Sequence, residues 1–235
     1  MCRFLLWTIF FMLIVSGHAA EREIRILSIG NSYSEQSTAQ TPEIAHAMGL
    51  PLRYASAHIG GSSMGQVLDA LIRCRSTGKP QFSCMMKESM PERKILRKNT
   101  PCNLWNLLAE EKWDMVLIMP YRNELLDRAG TWKTAEKLVH LIRERAPQAE
   151  ILIHGIWTPR ADDPFYQKHK ISQSDFMRLT EAFCNSLAAD LGVRVVPVGT
   201  AVRLTREESR DHFVVPDPSS LKQFSYPDLP SSSGD

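Results

Sequence analysis

The sequence predicts an α/β fold in which a parallel sheet is covered by helices on both faces. Short apolar runs rich in β-branched residues recur along the chain, and segments with apolar residues at helical spacing separate them. Glycine, proline and small polar clusters end most of these runs. Connections of this length favour right-handed crossovers, which make neighbouring strands parallel. We therefore expect five parallel strands between two layers of helices.

The first strand is the clearest of the five. Residues 23–30 contain four aliphatic side chains, and Gly30 ends the run before a polar cluster. The most strand-like segment after it begins at Trp113. The other four predicted strands cover residues 52–59, 113–119, 151–154 and 193–198.

Between these strands, apolar residues at helical spacing and residues typical of helix ends predict helices. They cover residues 40–48, 64–74, 104–110, 131–146, 174–191 and 201–208, with Ser174 as the cap of the fifth. Two regions lack such a pattern. Residues 76–100 are rich in Lys, Ser, Met and Pro and are interpreted as a surface excursion. Residues 214–235 are rich in Pro and Ser and are interpreted as loop.

The amino end has the features of an export signal. Arg3 precedes an apolar stretch from Phe4 to Val15, and small residues follow up to Ala20. An uncleaved membrane anchor is the alternative, and no later stretch is apolar enough to span a bilayer. We therefore expect residues 1–20 to be a signal peptide, residues 21–235 to form a single domain, and the mature protein to be secreted or periplasmic.

Composition and cysteine spacing exclude several kinds of site. A formal charge of +2 and the lack of a basic run with interleaved aromatics argue against nucleic acid as a partner. After the signal, Cys74, Cys84, Cys102 and Cys184 permit two disulfides in three pairings, although Cys184 also fits a helix core. No cysteine or histidine pair has metal-site spacing, and no glycine run could cradle a phosphate. We expect neither a metal nor another cofactor.

Three strand ends bring polar groups to the same edge of the predicted sheet. Ser32 follows the first strand, Gly61 the second, and Asn123 the third. A hydroxyl, a glycine amide and a side-chain amide are the components of an acyl-transfer site. In such a site the Ser32 hydroxyl would attack an ester carbonyl. The Ser32 N–H, the Gly61 N–H and the Asn123 side chain would bind the oxyanion. Individually, Ser32 could instead cap a helix, Gly61 could serve a turn, and Asn123 could be a loop amide.

These residues resemble the first motifs of the SGNH (GDSL-like) hydrolase superfamily. Gly30-Asn31-Ser32 stands where that family has Gly-Asp-Ser, and the segment 29–34 resembles a subgroup with the motif Ile-Gly-Asn-Ser-(Tyr/Phe)-Ser. The resemblance extends from Glu23 to about Arg206. It implies a flavodoxin-like three-layer α/β/α fold and a serine esterase or lipase activity. It also implies Ser32 as nucleophile, Gly61 rather than Gly60 as the glycine donor, and Asn123 as the side-chain donor.

The chain departs from the family pattern in two motifs and at its carboxyl end. Asn31 replaces an Asp, and Tyr121 replaces the glycine of the third motif. No late Asp-x-x-His motif supplies an acid and a base, since Asp211 and His212 are adjacent and point apart. We therefore expect the usual carboxyl end of the domain to be missing; truncation, a shortened gene model and an inactive variant would all give this pattern.

Among the other histidines, His154 at the end of the fourth strand is the best-placed candidate for the base. Its ring could instead have a purely structural role, with its nitrogens hydrogen-bonded to neighbouring backbone groups. His58 ends the second strand, and its ring could have the same structural role.

Two hypotheses about function follow. The first is an exported serine ester hydrolase whose substrates are small-molecule or carbohydrate esters. The loop with Trp157, Arg160, Asp162 and Asp163 would suit a sugar, unless Trp157 packs on the core. The second is a catalytically incomplete member of the superfamily that binds a ligand without converting it.

Overall fold

A computed structural model of the protein describes residues 22–90, 92–159 and 162–208. Its strands are β1 (Ile24–Gly30), β2 (Leu52–His58), β3 (Phe82–Glu88), β4 (Lys94–Cys102), β5 (Met115–Ile118), β6 (Glu150–His154) and β7 (Arg194–Val196). They form a seven-stranded sheet in the order β4-β3-β2-β1-β5-β6-β7.

Helices connect most of the strands. They are α1 (Ser32–Thr38), α2 (Thr41–Ala47), α3 (Met64–Thr77), α4 (Leu104–Glu110), α5 (Arg128–Arg145), α6 (Pro164–His169), α7 (Gln173–Leu191) and α8 (Val198–Glu208), with a 3-10 helix at Arg122–Leu126. The cap of α7 is Ser172, two residues before the predicted Ser174. No helix in the described ranges is long and apolar enough to cross a membrane.

The predicted parallel core is confirmed. β2, β1, β5, β6 and β7 are parallel to one another, in the flavodoxin-like order with β1 between β2 and β5. Gly30 lies opposite His58 on β2, and Ile29 lies opposite Ile118 on β5. The carboxyl ends of these three strands therefore meet at one edge, where ligands bind in open α/β sheets.

The interpretation of residues 76–100 as a surface excursion is wrong. β3 pairs antiparallel with β2, and β4 pairs antiparallel with β3, so the hairpin extends the sheet and makes it mixed. In β3, Phe82, Cys84 and Met86 are buried at every second position, which is the strand period. Most of β4 is exposed at the sheet edge, and its Lys, Arg and Pro residues are typical of edge strands.

The two faces of the sheet pack against different helices. On β2, Leu52 and Tyr54 pack with Ala45 of α2, whereas Ala55 and Ala57 belong to the main core on the other side. That main core contains the buried faces of α3, α4, α5 and α7. Cys74, Cys84, Cys102 and Cys184 are all buried free thiols, so none of the permitted disulfides is formed in this structure.

Some predictions fall outside the described residues. These are the signal peptide at residues 1–20, Arg160 of the proposed sugar loop, the adjacent Asp211 and His212, and the loop at residues 214–235.

Candidate active site

Ser32 lies at the carboxyl end of the central strand, as the first residue of α1. The cap of this helix is Asn31, whose Oδ1 accepts a hydrogen bond of 3.0 Å from the Tyr33 backbone N–H. The capping role considered for Ser32 is therefore filled by Asn31. Ser34, further along the helix, donates a hydrogen bond to the Asn31 carbonyl. Ser32 is half-buried, and no other described residue hydrogen-bonds its hydroxyl. This leaves the hydroxyl available for chemistry.

Asn31 also connects the loop after β1 to the loop after β2. Its Nδ2 donates a hydrogen bond of 3.0 Å to the Ser62 carbonyl, and the amide is 1% exposed. The Ser62 hydroxyl contacts the Gly30 carbonyl at 3.5 Å. The glycine loop is thus fixed against the residues that hold Ser32.

Gly61 occupies a backbone conformation that side chains disfavour. Its φ is +65°, and both it and Gly60 are exposed. Asn123 is exposed in the 3-10 helix that follows β5, and its amide makes no hydrogen bond to a described residue. Gly61 and Asn123 line one cavity of about 440 Å³, whereas Ser32 lies outside that lining. The structure therefore brings the two donor candidates together and places Ser32 at the neighbouring strand end.

The cavity beside these donors is polar. Its walls come from the amino ends of α3 and α5 and from the 3-10 helix between them. They present hydroxyl, amide and carboxylate groups from Ser63, Gln66, Asn123, Glu124, Asp127, Thr131 and Thr134. Such a surface suits a ligand with several hydroxyl groups.

Glu124, next to Asn123, is the second connection between the strand-end loops. One carboxylate oxygen accepts from the Met64 backbone N–H at 2.8 Å, and the other accepts from the Tyr121 N–H at 2.7 Å. Burial raises the pKa of the Glu124 carboxyl, while backbone donors at Tyr121, Met64 and Gly65 oppose that shift. The carboxylate thereby fixes the Asn123 segment to the amino end of α3.

His154 is buried at the end of β6 and does not bond to Ser32. Its Nε2 lies 2.9 Å from the Ser37 hydroxyl, and its Nδ1 has no partner among the described residues. The predicted alternative, a ring satisfied by neighbouring backbone, is therefore wrong, because the partner is a side chain. Burial lowers the pKa of His154 to about 4, so the ring is neutral at physiological pH.

His58 stands closer to the Ser32 loop, because it is paired in register with Gly30. Its Nε2 lies 3.3 Å from a carboxylate oxygen of Glu35, on α1. Its Nδ1 is buried and has no partner among residues 22–90, 92–159 and 162–208. Sequence reasoning could not identify this pair, because the fold alone brings residues 35 and 58 together.

The loop after β6 does not offer the aromatic face expected for a sugar. Trp157 is only 7% exposed, and its ring centroid lies 4.8 Å from that of Tyr33. Asp163 caps α6 by accepting from the Phe165 N–H, and it pairs with Arg122 at 3.3 Å. Trp157 therefore packs on the core, and this loop no longer supports the carbohydrate hypothesis.

No group of three or more metal-ligating side chains that could hold an ion occurs in the described part of the chain. The polar groups at this edge are hydroxyl, amide, imidazole and carboxylate groups of the protein itself. Groups of these kinds can act as nucleophiles, acids and bases.

Comparisons with known proteins identify the fold. The sequence matches no protein-family model and no curated protein. The structure is similar to that of a DUF4886 family protein from Bacteroides uniformis, with a TM-score of 0.63, 22% identity, and coverage of 77% of this chain and 70% of that one. It is also similar to a protein from Slackia heliotrinireducens described as an SGNH hydrolase, with a TM-score of 0.53, 19% identity, and coverage of 86% and 94%. The chain has the SGNH hydrolase fold.

Proposed function

We propose that this protein is a serine ester hydrolase with Ser32 as its nucleophile. The observation that supports this best is that three neighbouring strands end at one edge of the sheet: half-buried Ser32 follows the first, and Gly61 and Asn123, which follow the other two, line one cavity. The likeness of the fold to a protein described as an SGNH hydrolase agrees with this assignment.

In this proposal the Ser32 hydroxyl attacks the ester carbonyl at the amino end of α1. The Ser32 backbone N–H, the Gly61 N–H and the Asn123 side-chain amide bind the negative oxygen of the tetrahedral intermediate. Loss of one such donor typically costs about 10²–10³ in rate. Asn31 and Glu124 hold these donors in place through the bonds to Ser62 and Met64.

The polar cavity motivates a finer proposal about the substrate. Hydroxyl, amide and carboxylate groups line it, and the Trp157 face is buried. We expect a carbohydrate O-acyl ester to place its sugar in this cavity, with the acyl carbon at Ser32. The mature chain would act in a secreted or periplasmic setting, as the amino-terminal signal predicts.

The test is hydrolysis of p-nitrophenyl acetate by residues 21–235, beside the Ser32→Ala variant and a Ser76→Ala control on the exposed end of α3. We expect activity in the wild type and in Ser76→Ala and its loss in Ser32→Ala. Equal background rates in all three proteins would contradict the assignment and favour a ligand-binding protein without turnover.

The carbohydrate part has its own test. Acetylated monosaccharides and oligosaccharides should be deacetylated faster than aryl acetates, and Thr134→Val at the cavity wall should lower that preference without changing aryl acetate hydrolysis. Turnover of aryl acetates alone would remove the carbohydrate proposal and leave the esterase.

A further inference from the structure

A second cavity, of different character, lies between the 3-10 helix, the first turn of α5, α6 and α7. Its volume is about 260 Å³, near the lower end of the range for small-molecule sites. It shares no lining residue with the polar cavity beside Gly61 and Asn123. The proposed ester hydrolysis makes no use of it, so its chemistry can be considered separately.

The walls of this second cavity are mainly apolar. Three phenylalanine rings and three aliphatic side chains form most of the lining: Leu125, Phe165, Ile171, Phe176, Leu179 and Phe183. The rings of Phe165 and Phe176 pack with their centroids 4.7 Å apart in a buried cluster. Aromatic walls that are fixed by their own packing suit a hydrocarbon or aromatic group.

One residue of this wall has apolar surface that the fold leaves uncovered. Phe176, Leu179 and Phe183 are spaced by three and four residues, so they lie on one face of α7. Phe176 and Phe183 are 2% and 7% exposed, whereas Leu179 between them is 54% exposed. Because Leu179 lines the cavity, an apolar group bound there would remove this surface from water.

A fixed cation also lines the cavity. The Arg128 guanidinium lies 4.5 Å from the centre of the Trp132 ring, and that ring packs edge-on against Phe183 at 5.3 Å. Arg128 is exposed and forms no ion pair with a carboxylate in the described part of the chain. Its charge is thus held at the apolar wall without a counter-ion from the described residues.

The surrounding acidic groups do not neutralise this charge. No carboxylate is among the described residues that line the cavity. Asp127, next to Arg128, turns its carboxylate to cap α5, and Asp190 accepts a hydrogen bond from the Trp132 indole N–H at 2.7 Å. The other ionisable side chain of the lining is His169. The lining therefore favours an anionic head group over a cationic one.

We infer that this cavity binds a small amphipathic anion, a medium-chain carboxylate, with its chain against Phe165 and Phe176 and its carboxylate at Arg128. At roughly 30 Å³ for a group the size of a water molecule or a methylene, the cavity holds about eight such groups. An eight-carbon carboxylate matches this size. The inference does not depend on the ester hydrolase proposed above.

The experiment is isothermal titration calorimetry of octanoate into residues 21–235. We expect saturable binding at one site. Butanoate should bind at least about tenfold more weakly, because four fewer methylene groups are buried. Octylamine should also bind at least about tenfold more weakly, because its ammonium group would face the Arg128 guanidinium.

Two substitutions test the location, each with a matched control. Arg128→Gln should weaken octanoate binding at least about tenfold, because it removes the charged partner of the carboxylate. Leu179→Asp should weaken it at least as much, because it adds a negative charge to the wall. Both positions are exposed, so neither change should unfold the protein. Arg194→Gln and Leu204→Asp, at exposed positions outside the lining, should keep the wild-type Kd.

The Ser32→Ala variant separates this inference from the proposed function. It should bind octanoate like the wild type, whereas its rate of p-nitrophenyl acetate hydrolysis tests the ester hydrolase alone. Loss of octanoate binding in Ser32→Ala would place the ligand at the strand-end site and overturn the inference. Wild-type Kd values in both Arg128→Gln and Leu179→Asp, no saturable binding, or equal binding of octylamine would overturn it as well.

Discussion

The Asn31 side-chain amide donates a hydrogen bond of 3.0 Å to the Ser62 carbonyl and thereby joins the serine loop to the glycine loop. The same side chain caps α1 through its Oδ1, so both ends of the amide are used. A carboxylate could cap the helix but could not donate to Ser62. Asn31, where the SGNH motif has Asp, therefore makes a contact that an aspartate could not make.

Asn31→Asp should destabilise the folded protein even though it introduces the Asp of the SGNH motif. It removes the donor to Ser62 and places two acceptors together in a site that is 1% exposed, so we expect a loss of about 1–3 kcal/mol in the free energy of unfolding. Loosening of the glycine loop should also lower esterase activity by at least about tenfold. Urea unfolding and p-nitrophenyl acetate hydrolysis measure the two effects.

Asn103 offers a matched control. It caps α4 and donates to the Cys74 carbonyl at 2.9 Å, away from the proposed site. Asn103→Asp should lower stability without a comparable loss of activity. Equal activity in the Asn31→Asp and Asn103→Asp proteins would mean that the Ser62 connection does not position the site.

Gly61→Ala should have two effects that can be measured separately: backbone strain lowers stability, and loss of an oxyanion donor lowers activity. The new methyl group has space, but the φ of +65° disfavours alanine by about 1–2 kcal/mol. Relaxation of that strain would turn the Gly61 N–H away from the oxyanion, so we expect activity to fall by about 10²-fold. Steady-state kinetics and thermal melting together check this.

Two other glycines control this change. Gly78→Ala imposes the same strain at the end of α3, where φ is +69°, and should lower stability but not activity. Gly60 has no positive φ, and Gly60→Ala should alter neither property. A larger activity loss in Gly60→Ala than in Gly61→Ala would reassign the donor to Gly60.

The sequence predicted the parallel strands because buried strands at the centre of a sheet need continuous apolar runs. β1, β5 and β6 satisfy this requirement within their own residues. β4 does not, because its exposed edge position allows Lys, Arg, Asn and Pro, and its strand conformation depends on pairing with β3. Local composition therefore predicted a loop where tertiary pairing makes a strand.

The same distinction holds at the candidate site. Ser32, Gly61 and Asn123 follow strand ends, so their common edge was predictable from chain order. The contacts between the loops were not, because Asn31 reaches Ser62 and Glu124 reaches Met64 only after folding. Trp157 was equally ambiguous, since an aromatic residue in a polar loop can face solvent or the core, and here it packs on Tyr33.

Glu124→Gln should lower activity with little change in stability. Both carboxylate oxygens accept backbone N–H groups, so an amide leaves one donor without its acceptor and loosens the Asn123 segment. Because the folded-state pKa of Glu124 is raised, ionised Glu124 destabilises the fold at neutral pH, and this cost is absent below the unfolded-state pKa. Neutral glutamine avoids this cost, and that gain offsets the lost hydrogen bond. We therefore expect the free energy of unfolding to change by no more than about 1 kcal/mol.

The measurement for Glu124 is kcat/KM beside the urea midpoint, with Glu144→Gln as control. Glu144 pairs with Arg75 at 2.9 Å on the exposed surface, and its replacement should change neither quantity appreciably. A Glu124→Gln protein with wild-type kcat/KM would mean that Asn123 does not depend on this carboxylate.

His154→Gln should remove a pH dependence of stability. The pKa of His154 falls from 6.5 to about 4 on folding because the ring is buried, so the neutral ring stabilises the fold above the unfolded-state pKa. That contribution, about 3 kcal/mol for a shift of this size, is lost as the pH falls from 6.5 towards 4. Glutamine keeps a polar group near Ser37 but does not titrate. Urea unfolding of both proteins between pH 6.5 and 4 measures the effect. The difference in the free energy of unfolding between wild type and variant should become smaller as the pH falls. His140→Gln on the surface should show no such trend, and a difference for His154→Gln that stays constant with pH would mean that the ring accepts a proton without cost in the folded state.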